Sequence, residues 1–194
     1  DANSSITVDG GTLSNAGTIT GDVTVRDGTF SNTATIRGMT LAEAGTVLSA
    51  NNGTFDGDVT INGEDLPAAA AEANFSGMTS VTGDLQNAGN LTNDGTLTVT
   101  GAFTSAGRVT NTGTIVNALT MAGDGSLIQN GTTSGLVTLS DTASLTTNGG
   151  SFAGLMISEN ASATLSGAIT SSGDVTNLGR LASSASVATT LTVT

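Results

Sequence analysis

The sequence predicts an all-β fold: a single-stranded parallel β-helix with roughly ten coils of about 17–18 residues each. Three observations predict this fold. One short phrase recurs along the chain, apolar and polar residues alternate around each copy, and glycine and asparagine separate the alternating stretches. A fixed short period is typical of a solenoid, in which each coil buries its apolar side against the neighbouring coils.

The recurring phrase consists of an apolar residue, Ser or Thr, Asn, any residue, Gly, usually Thr, and a second apolar residue. Because this order returns along the chain, its copies are predicted to occupy equivalent positions on different coils. The clear copies are Leu13–Ile19, Leu91–Leu97, Val109–Ile115 and Val175–Leu181, with a weaker copy at Phe30–Ile36.

Short segments with strand periodicity surround these copies, for example Val23–Val25, Val59–Ile61 and Leu119–Met121. Their alternation, and their content of β-branched Val, Ile and Thr, favour β-strands. Gly and Asn between the segments are suited to the positive φ angles of tight turns. Each coil is therefore expected to hold two or three strands, and stacking at about 4.8 Å per coil gives a rod on the order of 50 Å long.

Several asparagines lie two residues after an inward apolar residue, and they are expected to point inward because side chains alternate along a strand. Buried amides at the same turn of successive coils can form a hydrogen-bonded ladder, which satisfies polar groups that are costly to bury. A role as turn formers with their amides in water stays open. The predicted ladder residues are Asn15, Asn32, Asn87, Asn93, Asn111 and Asn177.

One segment, residues 64–74, interrupts the period with the only proline and the only run of alanines in the chain. Pro67 followed by four alanines predicts a short inserted helix or an extruded loop. We expect one continuous β-helix over 1–194, with this insertion between N-terminal coils (1–63) and C-terminal coils (75–194). A functional loop and a tolerated bulge both stay open. The candidate functional residues of the insertion are Glu64, Asp65, Pro67 and Glu72.

The composition excludes most catalytic chemistry. The chain has 16 acidic residues, four arginines, no lysine, no histidine and no cysteine, and its net charge is −12. A Ser-His-Asp triad, a cysteine nucleophile, a lysine Schiff base and a His/Cys zinc site are therefore all excluded. Strong acidity also argues against nucleic acid and anionic membranes as partners. We expect no enzyme and no cofactor, and no apolar run approaches the ~20 residues of a membrane span.

Carboxylates are the remaining reactive groups. Asp56 and Asp58 are two residues apart, so on a strand both would lie on one outer face. The sequence leaves open a weak calcium site at this pair and, as a remote alternative, a carboxylate-dependent polysaccharide-active enzyme. Solvated turn carboxylates are the simpler interpretation, because the acids are spread along the coils.

Both ends of the sequence have strand periodicity and no amphipathic capping helix. An open coil exposes apolar surface and unpaired strand edges. We therefore expect a head-to-tail homo-oligomer or filament, or continuation into neighbouring parts of a longer chain. The candidate interface residues are Ile6, Val8, Leu191 and Val193.

The recurring phrase resembles those in the passenger regions of bacterial autotransporters and related repetitive β-helical surface adhesins. The resemblance covers nearly the whole chain outside residues 64–74. It implies a right-handed β-helix, export, and an extracellular or cell-surface location. It carries over no catalytic residue.

These observations lead to one expected function and one main alternative. The first is a structural, non-catalytic extracellular rod that acts as a fibre subunit or stalk and stacks end to end. The alternative is an adhesin module that binds a glycan or host protein through a side face or the 64–74 loop.

Overall fold

The protein is a right-handed parallel β-helix of about ten turns, which confirms the predicted fold class. The computed structural model describes residues 4–63, 69–184, 186–188 and 191–193; for 186–188 and 191–193 it describes the backbone only. No helix occurs in these ranges. Residues 64–68 lie outside them, so the choice between a helix and a loop there stays a prediction.

Strands follow one another along the chain, and the chain changes direction at three corners in each coil. Most strands end at a corner, and the longer ones continue through it. Their bounds are β1 Ser5–Asn15, β2 Thr18–Thr20, β3 Asp22–Asn32, β4 Thr35–Arg37, β5 Thr40–Ala42, β6 Val47–Asn51, β7 Thr54–Asp56, β8 Val59–Ile61, β9 Glu72–Ser76, β10 Met78–Val81, β11 Leu85–Asn87, β12 Asn90–Asn93, β13 Thr96–Val99, β14 Phe103–Ser105, β15 Arg108–Asn111, β16 Thr114–Val116, β17 Leu119–Met121, β18 Ser126–Gln129, β19 Thr132–Leu139, β20 Ser144–Ile157, β21 Ser162–Ser171, β22 Val175–Asn177, β23 Arg180–Ser183, β24 Ser186–Ala188 and β25 Leu191–Val193.

The strands form three faces, and the strands of each face pair in parallel with those of the adjacent coils. Face 1 contains the first parts of β1 and β3, then β5, β8, β11, β14, β17, the last parts of β19 and β20, β22 and β25. Face 2 contains the last parts of β1 and β3, then β6, β9, β12, β15, β18, the first parts of β20 and β21, and β23. Face 3 contains β2, β4, β7, β10, β13, β16, the first part of β19, the middle of β20, the end of β21, and β24.

The core is a set of inward columns that run along the rod axis. Val23, Val25, Val109 and Ile115, which the periodicity places inside, have no exposed surface. Inward residues of adjacent coils are in register, so each apolar side chain packs on the one a coil away. The buried apolar residues form one continuous cluster. Burial therefore comes from stacking between coils.

A column of glycines lies at the corner between faces 2 and 3. A Cβ atom placed on Gly113 would lie 2.0 Å from the carbonyl oxygen of Gly95, and one on Gly131 would lie 2.0 Å from that of Gly113. Real Cβ atoms do not approach backbone this closely, so the coils here stack at a distance that only glycine permits. Other members of the column are Gly77 and Gly150.

The insertion lies at the corner between faces 1 and 2. Asn87 follows its face-1 partner Ile61 by 26 residues, whereas Ser105 follows Asn87 by 18, so this coil holds eight extra residues, 63–70. The amide nitrogen of Ala71 donates to the carbonyl oxygen of Asn62 at 3.0 Å and closes the base of the insertion. The predicted insertion, 64–74, therefore extends into β9, which begins at Glu72 and pairs with both neighbouring coils.

Candidate functional site

A ladder of buried amides runs along face 2 through three consecutive coils. The side-chain nitrogen of Asn93 donates to Asn111 Oδ1 at 2.8 Å, and that of Asn111 donates to Gln129 Oε1 at 3.0 Å. The Asn111 amide also donates to the carbonyl oxygen of Thr132 at 3.1 Å. Each amide thus ties one coil to the next and satisfies the turn backbone, which is the arrangement that buried polar groups require.

The other predicted ladder residues fall into separate places. Asn15 and Asn32 form a second, shorter stretch on face 2, with an Nδ2–Oδ1 distance of 2.9 Å. Asn87 lies on face 1 and donates to Ser105 Oγ at 2.9 Å. Asn177 also lies on face 1, where its register partners are Ile157 and Val193, and its Oδ1 is buried without a hydrogen bond. Asn177 is therefore not part of a ladder.

The ladder stretches on face 2 are interrupted by apolar side chains. Ala50 and Phe75 occupy the rungs between Asn32 and Asn93. Phe75 packs near Phe55, with ring centroids 6.1 Å apart. Because Phe75 offers no donor, the Oδ1 atom of Asn93 is buried without a hydrogen bond. Asn93 is therefore the starting rung of its stretch.

Corner carboxylates hold the coils together. Asp22, Asp58 and Asp84 each accept a backbone amide from the next coil at 2.8 Å, from Met39, Asp84 and Ala102 respectively. These contacts give the Gly-Asp sequence at the corner between faces 3 and 1 a structural role. The carboxylate accepts a hydrogen bond from a backbone amide that the tight turn leaves unpaired.

The predicted acidic pair shares this corner region. Asp56 is exposed and accepts a hydrogen bond from Thr82 Oγ1 at 3.0 Å, while Asp58 accepts the amide of Asp84. Within the described ranges no three Asp or Glu side chains come together as a potential metal-binding group. Neither residue lines the cavity described below. Calcium binding and carboxylate catalysis here stay predictions.

The candidate residues of the insertion and of the ends have different positions. Glu64, Asp65 and Pro67 lie outside the described residues, whereas Glu72 is exposed at the start of β9. In the first described coil Val8 is buried and Ile6 is partly buried against the core. The backbone of Leu191 and Val193 pairs with β22, and their side chains lie outside the described part of the chain.

A shallow cavity of about 280 Å³ opens on the outer surface of face 2, over β9, β12 and β15. Its polar side chains form two columns in register along the rod axis. The first column is Glu72, Asn90 and Arg108, and the second is Asn74, Thr92 and Thr110. We call these six residues the face-2 groove.

Sequence reasoning missed the face-2 groove except for Glu72, which it assigned to the insertion. The sequence did contain a signal for the groove: consecutive members of each column are 18 residues apart, which is the length of one coil. The face-2 groove therefore begins immediately after the insertion, on the first strand that follows it.

Among the described residues, no helix has the length and hydrophobicity of a membrane span. Comparisons with known proteins found no match to a protein-family model, a curated protein or a solved structure.

Proposed function

We propose that this chain is a structural, non-catalytic rod displayed outside a bacterial cell, as a fibre subunit or a stalk. The observation that carries the proposal is the continuous parallel pairing, which joins each described coil to its neighbours along three faces. Such stacking gives stiffness along one axis, because strand pairing joins successive coils on all three faces and buried amides and corner carboxylates add further bonds between some of them. The absence of His, Cys and Lys from the chain agrees with a non-catalytic role.

End-to-end stacking is the proposed mode of assembly. In the first described coil Ile6 and Leu13 are only partly buried, whereas their register partners in the next coil, Val23 and Phe30, have no exposed surface. A further coil on this side would bury the remaining apolar area and extend the strand ladder. The proposed partner is a second copy of the chain or a neighbouring part of a longer one.

Ile6→Asp is expected to abolish end-to-end assembly of the purified chain, because it would bury a carboxylate in the new contact. Thr7→Asp is the matched control, since it adds the same charge to the adjacent, exposed position. Electron microscopy should show filaments for the parent chain and Thr7→Asp, and isolated short rods for Ile6→Asp. Filaments that persist in a folded Ile6→Asp variant would contradict assembly through this end.

An adhesin module is the second candidate, and the eight-residue insertion favours it. Extra residues at one corner are dispensable for the β-helix itself, since Asn62 and Ala71 already close the turn beneath them. Insertions on a regular scaffold commonly carry binding function. In this proposal the insertion or the adjoining side face recognises a glycan or a host protein.

Deleting residues 63–70 is expected to preserve the rod while removing any binding that depends on the loop. The deletion joins Asn62 to Ala71 and restores the 18-residue spacing of the next coil, so the free energy of unfolding should change by less than about 1 kcal/mol. Chemical denaturation checks the stability, and retention on immobilised host glycans checks the binding. Unchanged retention would contradict binding through the loop.

A further inference from the structure

The face-2 groove presents six polar side chains that make no hydrogen bond within the described part of the chain. The buried amides and the corner carboxylates are satisfied by the next coil, but Glu72, Asn90 and Arg108 are exposed and their side chains are unengaged. In the second column Asn74 and Thr92 are exposed and Thr110 is partly exposed, and their side chains are likewise unengaged. These side chains are therefore available to a ligand, and they converge on one cavity.

The charges of the groove are also unpaired. Arg26 forms an ion pair with Glu43 at 3.6 Å, but among the described residues no carboxylate lies within 4.0 Å of Arg108. Glu72 and Arg108 are two coils apart, which places their Cα atoms roughly 10 Å from each other with Asn90 between them. Arg37 and Arg180 likewise lack an ion pair within 4.0 Å among the described residues, so what distinguishes Arg108 is its place over this cavity, in one column with Asn90 and Glu72.

The chemistry of the lining restricts the ligand class. Glu72 supplies only acceptors, Arg108 supplies only donors, and the amides and hydroxyls between them supply both. One positive and one negative group cancel, so the groove offers no net charge to a phosphate, a nucleic acid or a polycation. Apart from Leu91 at its floor, the lining is polar and contains no aromatic ring. Hydroxyl groups, which donate and accept at once, match this lining.

We propose that the face-2 groove binds a neutral saccharide, with one pyranose unit spanning Asn90 between Glu72 and Arg108. At about 280 Å³ the cavity is slightly smaller than the usual range of small-molecule sites, about 300–1,000 Å³, which fits a single sugar ring better than a larger ligand. Arg108 donates to one hydroxyl group, Glu72 accepts from another, and the amides of Asn74 and Asn90 bind those between. Without an aromatic platform the affinity is weak, with a Kd on the order of 1 mM.

This proposal specifies the side-face form of the adhesin candidate and is independent of the structural rod and of the loop. The test is a nuclear magnetic resonance titration of the ¹⁵N-labelled full chain with the methyl glycosides of glucose, galactose and mannose. At least one glycoside should shift the amides of residues 72–74, 90–92 and 108–110 and leave the distant coils unchanged. Glucuronate is the anionic comparison probe.

Two arginine variants decide whether the groove residues carry the binding. Arg108→Gln should raise the Kd at least about tenfold, because it removes a charge-assisted donor. Arg37→Gln is the control, because Arg37 is an exposed arginine on face 3 that lies outside the groove, and it should leave the Kd unchanged.

Three outcomes would overturn the proposal. The first is the absence of localised shifts with all three glycosides in the folded parent chain. The second is an equal effect of the two arginine variants. The third is a response to glucuronate alone, which would assign the groove to an anion. Each outcome leaves the filament experiment and the loop deletion unaffected.

Discussion

Gly113→Ala is expected to be among the most damaging single methyl groups that can be added to the described part of this rod, lowering the free energy of unfolding by about 3 kcal/mol. The new Cβ would lie 2.0 Å from the carbonyl oxygen of Gly95, and the obstructing atom is backbone, which cannot rotate away. The two coils must move apart locally, which weakens the strand pairing on faces 2 and 3. Urea denaturation followed by circular dichroism measures the loss.

Gly17→Ala provides the matched control for this prediction. Gly17 lies at the same corner in the first described coil, and a Cβ atom placed there meets nothing within 4 Å. Neither Gly17 nor Gly113 has a positive φ angle, so the two variants differ in the available space and not in backbone strain. Equal denaturation midpoints for the two variants would show that close coil stacking is not what selects glycine at this corner.

Asn111→Leu is expected to lower the free energy of unfolding by about 2–3 kcal/mol, although leucine has a similar size and suits an apolar core. The change removes the side-chain acceptor of Asn93 and one of the two donors to Gln129 Oε1, and it leaves the carbonyl oxygen of Thr132 without its side-chain partner. Buried groups that lose one partner pay the full cost of desolvation. Thermal and chemical unfolding both measure this change.

Two further variants separate the amide ladder from general packing. Asn74→Leu replaces an exposed asparagine on face 2 that makes no side-chain hydrogen bond, and it should change stability by no more than about 0.5 kcal/mol. Replacing Asn93, Asn111 and Gln129 together with leucine should cost less than three times the single change, because it removes both partners of the two amide–amide bonds. A strictly additive triple variant would contradict a cooperative ladder.

The coil architecture was predictable because it depends on periodicity, which the sequence displays directly. Alternation along segments such as Val23–Val25 fixes which side chains are buried, and the return of the pattern fixes the stacking. The corner at which each segment lies was less accessible. The phrase around Asn111 ends a strand on face 2, whereas the similar phrases around Asn87 and Asn177 end strands on face 1. The phrase therefore marks a strand end before a corner without specifying the corner.

The composition of the ladder was only partly predictable for the same reason. Gln129 was missed, because its coil carries glutamine at the rung where the recurring phrase has asparagine. Asn177 was included, because the phrase is present although its neighbours in the column are apolar. A hydrogen bond between coils depends on the pair of residues at one rung, and a single copy of a motif describes only one of them.

The face-2 groove was not predictable from motifs, because each coil contributes only two of its side chains. Glu72, Asn90 and Arg108 are unremarkable when each is considered in its own segment. Only the 18-residue spacing brings them together, and the insertion before Glu72 hides where that spacing starts. The register of the strands was needed to show that a carboxylate, an amide and a guanidinium occupy one column.

The register of the columns has an evolutionary consequence. Because each coil contacts only its two neighbours, duplication of the gene segment for one coil would lengthen the rod by one rung without a new core. The residues at the duplicated boundary must still match. A copy made within the stretch from Asn93 to Gln129 would place one amide on another. A copy that placed Phe75 beside a second amide would leave the polar atoms of that amide without a hydrogen bond. Rod length can therefore change by whole coils, at sites that the buried polar residues select.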